Sequence, residues 1–309
     1  MNLALVNAYI PFVIIFIGVV FNTSSFLLLM FHQNLKVFNS MRILAFISFV
    51  ETFTLFTFNI DHFYKYYFNR HYEINTVFLC RLMTFLQYAS LDASAWLLTF
   101  LTLHRLITIQ IRPGSVYENL STIKFANISS ILIILITCLV NSHILMFNGF
   151  YDFSNNTNNS ESTNCGTYTT GFKLFPFWDQ FQMYFCFLIP NILMIIFDMI
   201  FIFKLVRVKS KSTKKKIKKL TISIIVISLV YIIMNLPANL FWSYLLTITK
   251  ENYGDFADSI GGLLDSIMFL NHSSIFFTCY FTNLNFKLAV HSLFGSNCER
   301  NTLHKFTKT

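Results

Sequence analysis

Three carboxylates stand inside long apolar stretches: Glu51 in ILAFISFVETF, Asp92 in LQYASLDASAWLL and Asp198 in LMIIFDMIFIF. An acid among hydrocarbon chains is costly, so its presence points to ion binding, proton carriage or a buried partner. His272, beside Asn271, is a group able to share a proton with a buried carboxyl, although helix packing is its plainer role. Asp92 follows Cys80 by twelve positions and falls near the middle of its stretch, where it either floors a cavity or pairs with Asn141 or His143. Arg105 closes the same stretch and delivers a charge to one membrane face, as a snorkelling side chain does. There is no His-Glu-x-x-His, Gly-x-Ser-x-Gly, phosphate loop or Cys-x-x-Cys, so no enzymatic activity is expected.

The elements that hold these groups follow from composition and hydropathy. Of 309 residues 55% are apolar and only 12% charged, too little polar surface for a water-soluble globule of this length. Cys80 to Arg105 alone makes a helix of roughly 37 Å at ~1.5 Å per residue, enough to cross a bilayer. Apolar runs place spans at about 8–31, 41–63, 79–109, 124–147, 178–206, 217–247 and 259–283. The first lacks the basic lead and small-residue cleavage site of a signal peptide. A further amphipathic segment at about 284–295 puts Phe286, Val290, Leu293 and Phe294 on one face, and 296–309 is a tail. The predicted fold is thus an all-α integral membrane protein, a seven-transmembrane-helix bundle with a short amphipathic eighth helix.

The net charge of +9 would suggest a nucleic-acid partner in a soluble protein. Here the excess lies in short loops, above all KLVRVKSKSTKKKIKK, so it marks the inner face of a membrane and no nucleic acid is expected. The loop after the sixth run carries Glu251, Asp255 and Asp258 beside Lys250. The same rule places the N-terminus outside and the C-terminus inside. Asn148 to Phe177 is the longest polar segment and carries glycosylation sequons at Asn155 and Asn158. Sequons at Asn22, Asn119, Asn127 and Asn271 fall in membrane or inner segments.

Cys80 followed 25 positions later by Arg105 in LTFLTLHRLITI resembles the third helix of rhodopsin-like G-protein-coupled receptors. Further matches are Gly18 and Asn22, Glu51 for the acid of the second helix, Phe187 and Pro190 in FCFLIP, Tyr231 and Pro237 in YIIMNLPANLFW, and Asn271. NHSSIFFTCYFTNLNFK is similar to the seventh-helix segment of invertebrate peptide receptors, with Phe286-Lys287 opening the eighth helix. The departures are as specific. His104 and Leu106 flank the arginine in place of Asp and Tyr, the fourth helix lacks its Trp, Asp198 replaces a Tyr and Asn235 a Trp. Ile275, Phe276 and Cys279 stand where Asn-Pro-x-x-Tyr belongs.

The resemblance implies a cell-surface receptor that binds an extracellular ligand and signals to a heterotrimeric G protein as the sixth helix moves outward. Arg105 would meet the G protein, with His104 a weaker restraint than the family's acid, and Tyr231, Asn235, Pro237 and Pro190 would shape the switch. Cys138, Cys186 and Cys279 lie in apolar spans, where thiols behave as small hydrophobes, and a Cys80–Cys165 disulfide is expected. Glu51, Ser94 and Asn271 match the residues of the family's sodium pocket; a neutral, proton-carrying Glu51 is the alternative, and no other cofactor is implied. Gln87 and Phe269 replace the residues used by amine receptors and opsins, which directs the reading to a neuropeptide-like ligand contacting Gln87, Tyr88, Trp178, Asn239, Trp242 and Asp265. Each of these residues could instead serve packing. Cys298 is a candidate for palmitoylation, with membrane lipid a further partner. The competing class is a seven-helix ion- or solute-handling protein, or a receptor-like binder that no longer couples; no internal repeat supports a transporter.

Overall fold

The structure, a computed structural model, describes residues 3–36, 38–68, 76–111, 114–152, 162–168, 177–207, 211–248 and 255–293. Long uncharged runs form α1 (Leu3–Phe31) and much of α2 (Asn39–Phe68). Next comes α3 (Val77–Gln110), whose first turn is capped by Thr76 Oγ1 accepting from the Leu79 amide at 3.1 Å. A 3-10 turn at Val116–Ser121 leads to α4 (Ile123–Asn141), capped by Thr122 in the same way, and to the one-turn α5 (Ile144–Phe147).

The polar segment that follows folds into an antiparallel hairpin of β1 (Asn148–Asp152) and β2 (Ser162–Tyr168), with Phe150 opposite Asn164 and Asp152 opposite Ser162. Gly149, at φ 74°, supplies the left-handed residue where the register shifts. Then come α6 (Phe177–Gln182), a π-helical turn at Met183–Leu188, and α7 (Ile189–Arg207). Four further helices follow: α8 (Lys211–Ile248), α9 (Asp255–Asn271), α10 (Ser274–Thr282) and α11 (Leu284–Leu293).

Among the described residues, five stretches are long and apolar enough to cross a membrane: Tyr9–Phe31, Asn39–Ile60, Ile123–Phe147, Met183–Lys204 and Ile222–Phe241. α9 and α10 form a sixth, bent by 45° at His272–Ser273. α3, at 34 residues, has the length but not the hydropathy. Its position explains this. It packs against α2, α4, α7 and α8, so Ser90, Asp92, Ser94, Thr99, Thr102 and His104 are buried by protein and need no lipid-compatible chemistry.

The outward faces invert the pattern of a soluble protein. Ile128, Leu132, Leu135 and Leu139 on α4, and Ile192, Ile195, Met199 and Phe203 on α7, are all exposed, as a hydrocarbon-facing surface requires. The core joins Leu29 of α1, Leu44 and Ile47 of α2, and Leu97 and Leu101 of α3 to Phe286 of α11. α1 lies close on α2 because residue 18 is glycine: a Cβ there would stand 2.3 Å from Leu55 Cδ1. α11 is capped by Asn283 Oδ1, which accepts from the Asn285 and Phe286 amides at 3.0 and 3.3 Å. It buries Phe286, Ala289 and Val290 and leaves Leu293 65% exposed.

Candidate functional site

The hairpin marks one end of the bundle and the lysine-rich start of α8 the other. At the hairpin end, Arg81 in the second turn of α3 donates through Nε to the Asn148 carbonyl at 2.8 Å and through Nη2 to that of Gly149 at 3.3 Å. Cys80, one residue earlier, is fully buried. Strand β2, which carries Cys165, lies against the same helix.

Below the hairpin, Asp92 is completely buried, and its Oδ2 accepts from Asn141 Nδ2 at 2.7 Å. Asn141 Oδ1 accepts in turn from Gln182 Nε2 at 2.9 Å, and Cys186 donates to Gln182 Oε1. Of the two partners the sequence leaves open for Asp92, the structure supplies Asn141. His143 turns instead to Trp178, ring centroids 4.0 Å apart. This chain of polar groups ties α3 and α4 to the π-helical turn, whose widened backbone brings Gln182 and Cys186 into line.

A second cluster surrounds Glu51 on α2. Its Oε1 accepts from Ser94 Oγ at 3.1 Å and lies 3.5 Å from His272 Nδ1, within ion-pair reach though outside hydrogen-bond geometry. His272 sits at the break between α9 and α10, and the carbonyl freed there accepts from Asn22 Nδ2 at 2.7 Å. Asn271 is buried beside it and accepts from Ser274 Oγ at 3.4 Å. Glu51 and Ser94 are therefore brought together, while the side chain that closes on them from the seventh span is His272. Ser25 Oγ, Ser48 Oγ, Asn22 Oδ1 and Glu51 Oε2 are buried without hydrogen-bond partners among the described residues.

Toward the lysine-rich end, His104 is fully buried and its ring faces α4, against Phe125 at 6.3 Å and Phe100 at 5.6 Å. Arg105 follows it, with Nε and Nη2 buried and without hydrogen-bond partners among the described residues. On α7, Asp198 accepts a hydrogen bond from Ser228 Oγ of α8. One level nearer the hairpin, Thr99 Oγ1 donates to the Pro190 carbonyl at 3.3 Å, tying α3 to α7. A cleft of about 430 Å³ opens beside the end of α3, lined by Ile107, Gln110, Ile111, Ser115, Tyr117 and Leu120.

In α8, Pro237 withdraws one amide from the ladder, and the flanking Asn235 and Asn239 bond their own helix, to the Tyr231 carbonyl at 2.7 Å and the Asn235 carbonyl at 2.9 Å. Tyr231 is buried, its ring 6.4 Å from that of His272.

The residues expected to meet a ligand lie on α3, α6, α8 and α9. Gln87 and Tyr88 are half-buried on α3, and Asn239 is half-buried on α8, 3.8 Å from the Met268 sulfur. Asp265 is buried on α9, and Trp178 is buried against Phe181 and His143. The side chains of Cys165 and Trp242, together with Asn155, Asn158 and Cys298, lie outside the described residues.

Sequence reasoning had no view of the His272–Glu51 approach as geometry, of the Asp198–Ser228 bond, or of Gln182 as third member of the Asp92 chain. Each joins residues far apart in sequence, and only the inter-helix register brings them together.

No individual curated protein matches the chain. A profile of the 7 transmembrane receptor (rhodopsin family) matches residues 22–274, a range that takes in the Glu51 cluster, Arg105, Pro190 and Pro237. With that match over most of its length, on a bundle of membrane-crossing helices around a polar α3, the chain belongs to the rhodopsin family of seven-transmembrane receptors.

Proposed function

We propose that the protein is a plasma-membrane receptor for a neuropeptide-like ligand, with the hairpin end outside, and that it drives nucleotide exchange on a heterotrimeric G protein when the inner part of α8 moves outward about Pro237. The observation that carries the coupling half of this reading is Arg105: a guanidinium whose Nε and Nη2 are buried and without hydrogen-bond partners among the described residues, at the lysine-rich end of the central helix. Leaving such a group unmatched is costly, so the closed bundle holds it in reserve for a partner met on opening. The basic start of α8 supports that end as the inner face.

The peptide half is supported by the other end. A β-hairpin clamped to α3 by Arg81 offers backbone hydrogen-bonding edges to an extended chain, beside half-buried Gln87 and Tyr88. A Cys80–Cys165 disulfide would complete the clamp; it is supported by β2 lying on α3 and by Cys80 standing apart from the free thiols Cys138, Cys186 and Cys279.

The unpartnered Oε2 of buried Glu51 suits a hard cation, and sodium held there would stabilise the closed bundle. Ser94 and His272 already meet the other carboxylate oxygen.

A peptide library screened on cells expressing the chain with a promiscuous G protein tests the reading as a whole. The expected outcome is a response to at least one peptide class that is absent from untransfected cells. Ligand-free ion current or solute uptake without any exchange response would favour an ion- or solute-handling protein.

A further inference from the structure

α3 starts beside the hairpin and runs toward the lysine-rich end, and α7, which follows the hairpin in the chain, runs the same way. The Thr99–Pro190 hydrogen bond fixes their relative height. From that level Arg105 lies six residues further along α3, about 9 Å, and Asp198 eight residues further along α7, about 12 Å, at ~1.5 Å per residue. The guanidinium and the carboxylate therefore sit at nearly the same depth on two helices in contact.

Among the described residues, Arg105 has two buried nitrogens without partners, and Asp198, 9% exposed, is held by a single uncharged donor, Ser228 on α8. The other acids near enough to matter are engaged elsewhere. Glu118 accepts from the Gly114 amide, and Glu51 is bound at the level of Ser94, eleven residues before Arg105. His104 turns its ring to Phe125 and gives Arg105 no anion.

We propose that Asp198 is the counter-ion of Arg105 in the open form and that Ser228 restrains it in the closed one. The inference rests on the coupling reading above and deepens it, making Asp198 a positioning residue. When the inner part of α8 moves out it carries Ser228 away from Asp198. The carboxylate then loses its donor at the moment Arg105 gains room to turn, and an ion pair with the guanidinium replaces a hydrogen bond from an uncharged hydroxyl. The exchange gives the open state a stabilisation that the closed state lacks, which is what a two-state switch requires.

The test uses the full-length receptor in lipid nanodiscs, without ligand, with purified G-protein heterotrimer. Nucleotide exchange is read alongside the emission of a fluorescent amino acid in place of Lys215, which follows α8 whether or not a G protein responds. Ser228→Ala is expected to raise exchange and to shift the emission as open-state population rises by about tenfold or more, the worth of one hydrogen bond to a charged group. Ser228→Thr keeps the hydroxyl and should match wild type. In the Ser228→Ala background, Asp198→Asn or Arg105→Gln should each return the emission toward wild type, and the triple variant should go no further than either. Asp198→Glu in that background keeps part of the effect and guards against a misfolded Asn variant.

Emission unmoved by Ser228→Ala, an effect of Ser228→Thr equal to that of Ser228→Ala, or an effect surviving Asp198→Asn would each overturn the proposal. If the emission follows the expected pattern while exchange stays flat in every variant, the Asp198–Arg105 pair stands and it is the G-protein reading that fails.

Discussion

Glu51 meets protein donors on one carboxylate oxygen only, and this asymmetry decides what the residue can do. Ser94 and His272 approach Oε1, while Oε2 has no partner among the described residues. If sodium completes the shell, replacing choline chloride by sodium chloride at constant ionic strength will raise the thermal unfolding midpoint of purified receptor. The gain is about 1.4 kcal/mol when sodium is tenfold above its dissociation constant. Glu51→Ala should abolish the sodium increment. Equal midpoints in both salts for wild type would leave a neutral, proton-carrying carboxyl as the account of this site. His272 could be marked from sequence as a proton-sharing neighbour of Asn271. Its approach to Glu51 could not, because it depends on the break that turns the seventh span by 45°.

At the scale of elements, the polar chain from Asp92 through Asn141 to Gln182 holds the π-helical turn against α3 and α4. Asn141→Ala strands a fully buried carboxylate and the amide of Gln182, so it should cost about 1–3 kcal/mol of stability. Ser130→Ala on the same helix removes only a hydroxyl that bonds back to Ala126, and should cost far less. Comparing the unfolding midpoints of the two variants checks the ranking. Arg81 plays the matching part for the hairpin: Arg81→Ala should raise amide exchange of residues 148–152 and 162–168 about tenfold while leaving α3 protected, as hydrogen–deuterium exchange would show.

These elements also show how far the sequence can be read. Apolar length marks the spans, because hydropathy is a local property. α3 is legible from Cys80 and Arg105 despite its polarity, and that polarity itself reports its central place. The hairpin is not legible within a segment rich in Asn, Ser and Thr, since its register is set by cross-strand pairing and by Gly149. Nor is the π-helical turn, which needs its partners on α3 and α4.

The whole molecule is organised by a difference between its ends. The hairpin end carries a clamped sheet, and the other end carries the lysines of α8 and an arginine that has no anion among the described residues. On the proposed reading the lysines face the cytoplasm. A protease added outside intact cells should accordingly spare a tag inserted after Lys211; cleavage there would invert the receptor and remove Arg105 from any G protein.

The account stands or falls on Arg105. In the full-length receptor, stimulated by the active peptide from the library screen, nucleotide exchange and peptide binding are measured side by side for wild type and Arg105→Ala. The predicted result is a peptide-stimulated rise in exchange that Arg105→Ala abolishes, with peptide binding retained. Peptide binding accompanied by the same exchange in both proteins would contradict the account, leaving a receptor fold that binds without passing the signal on.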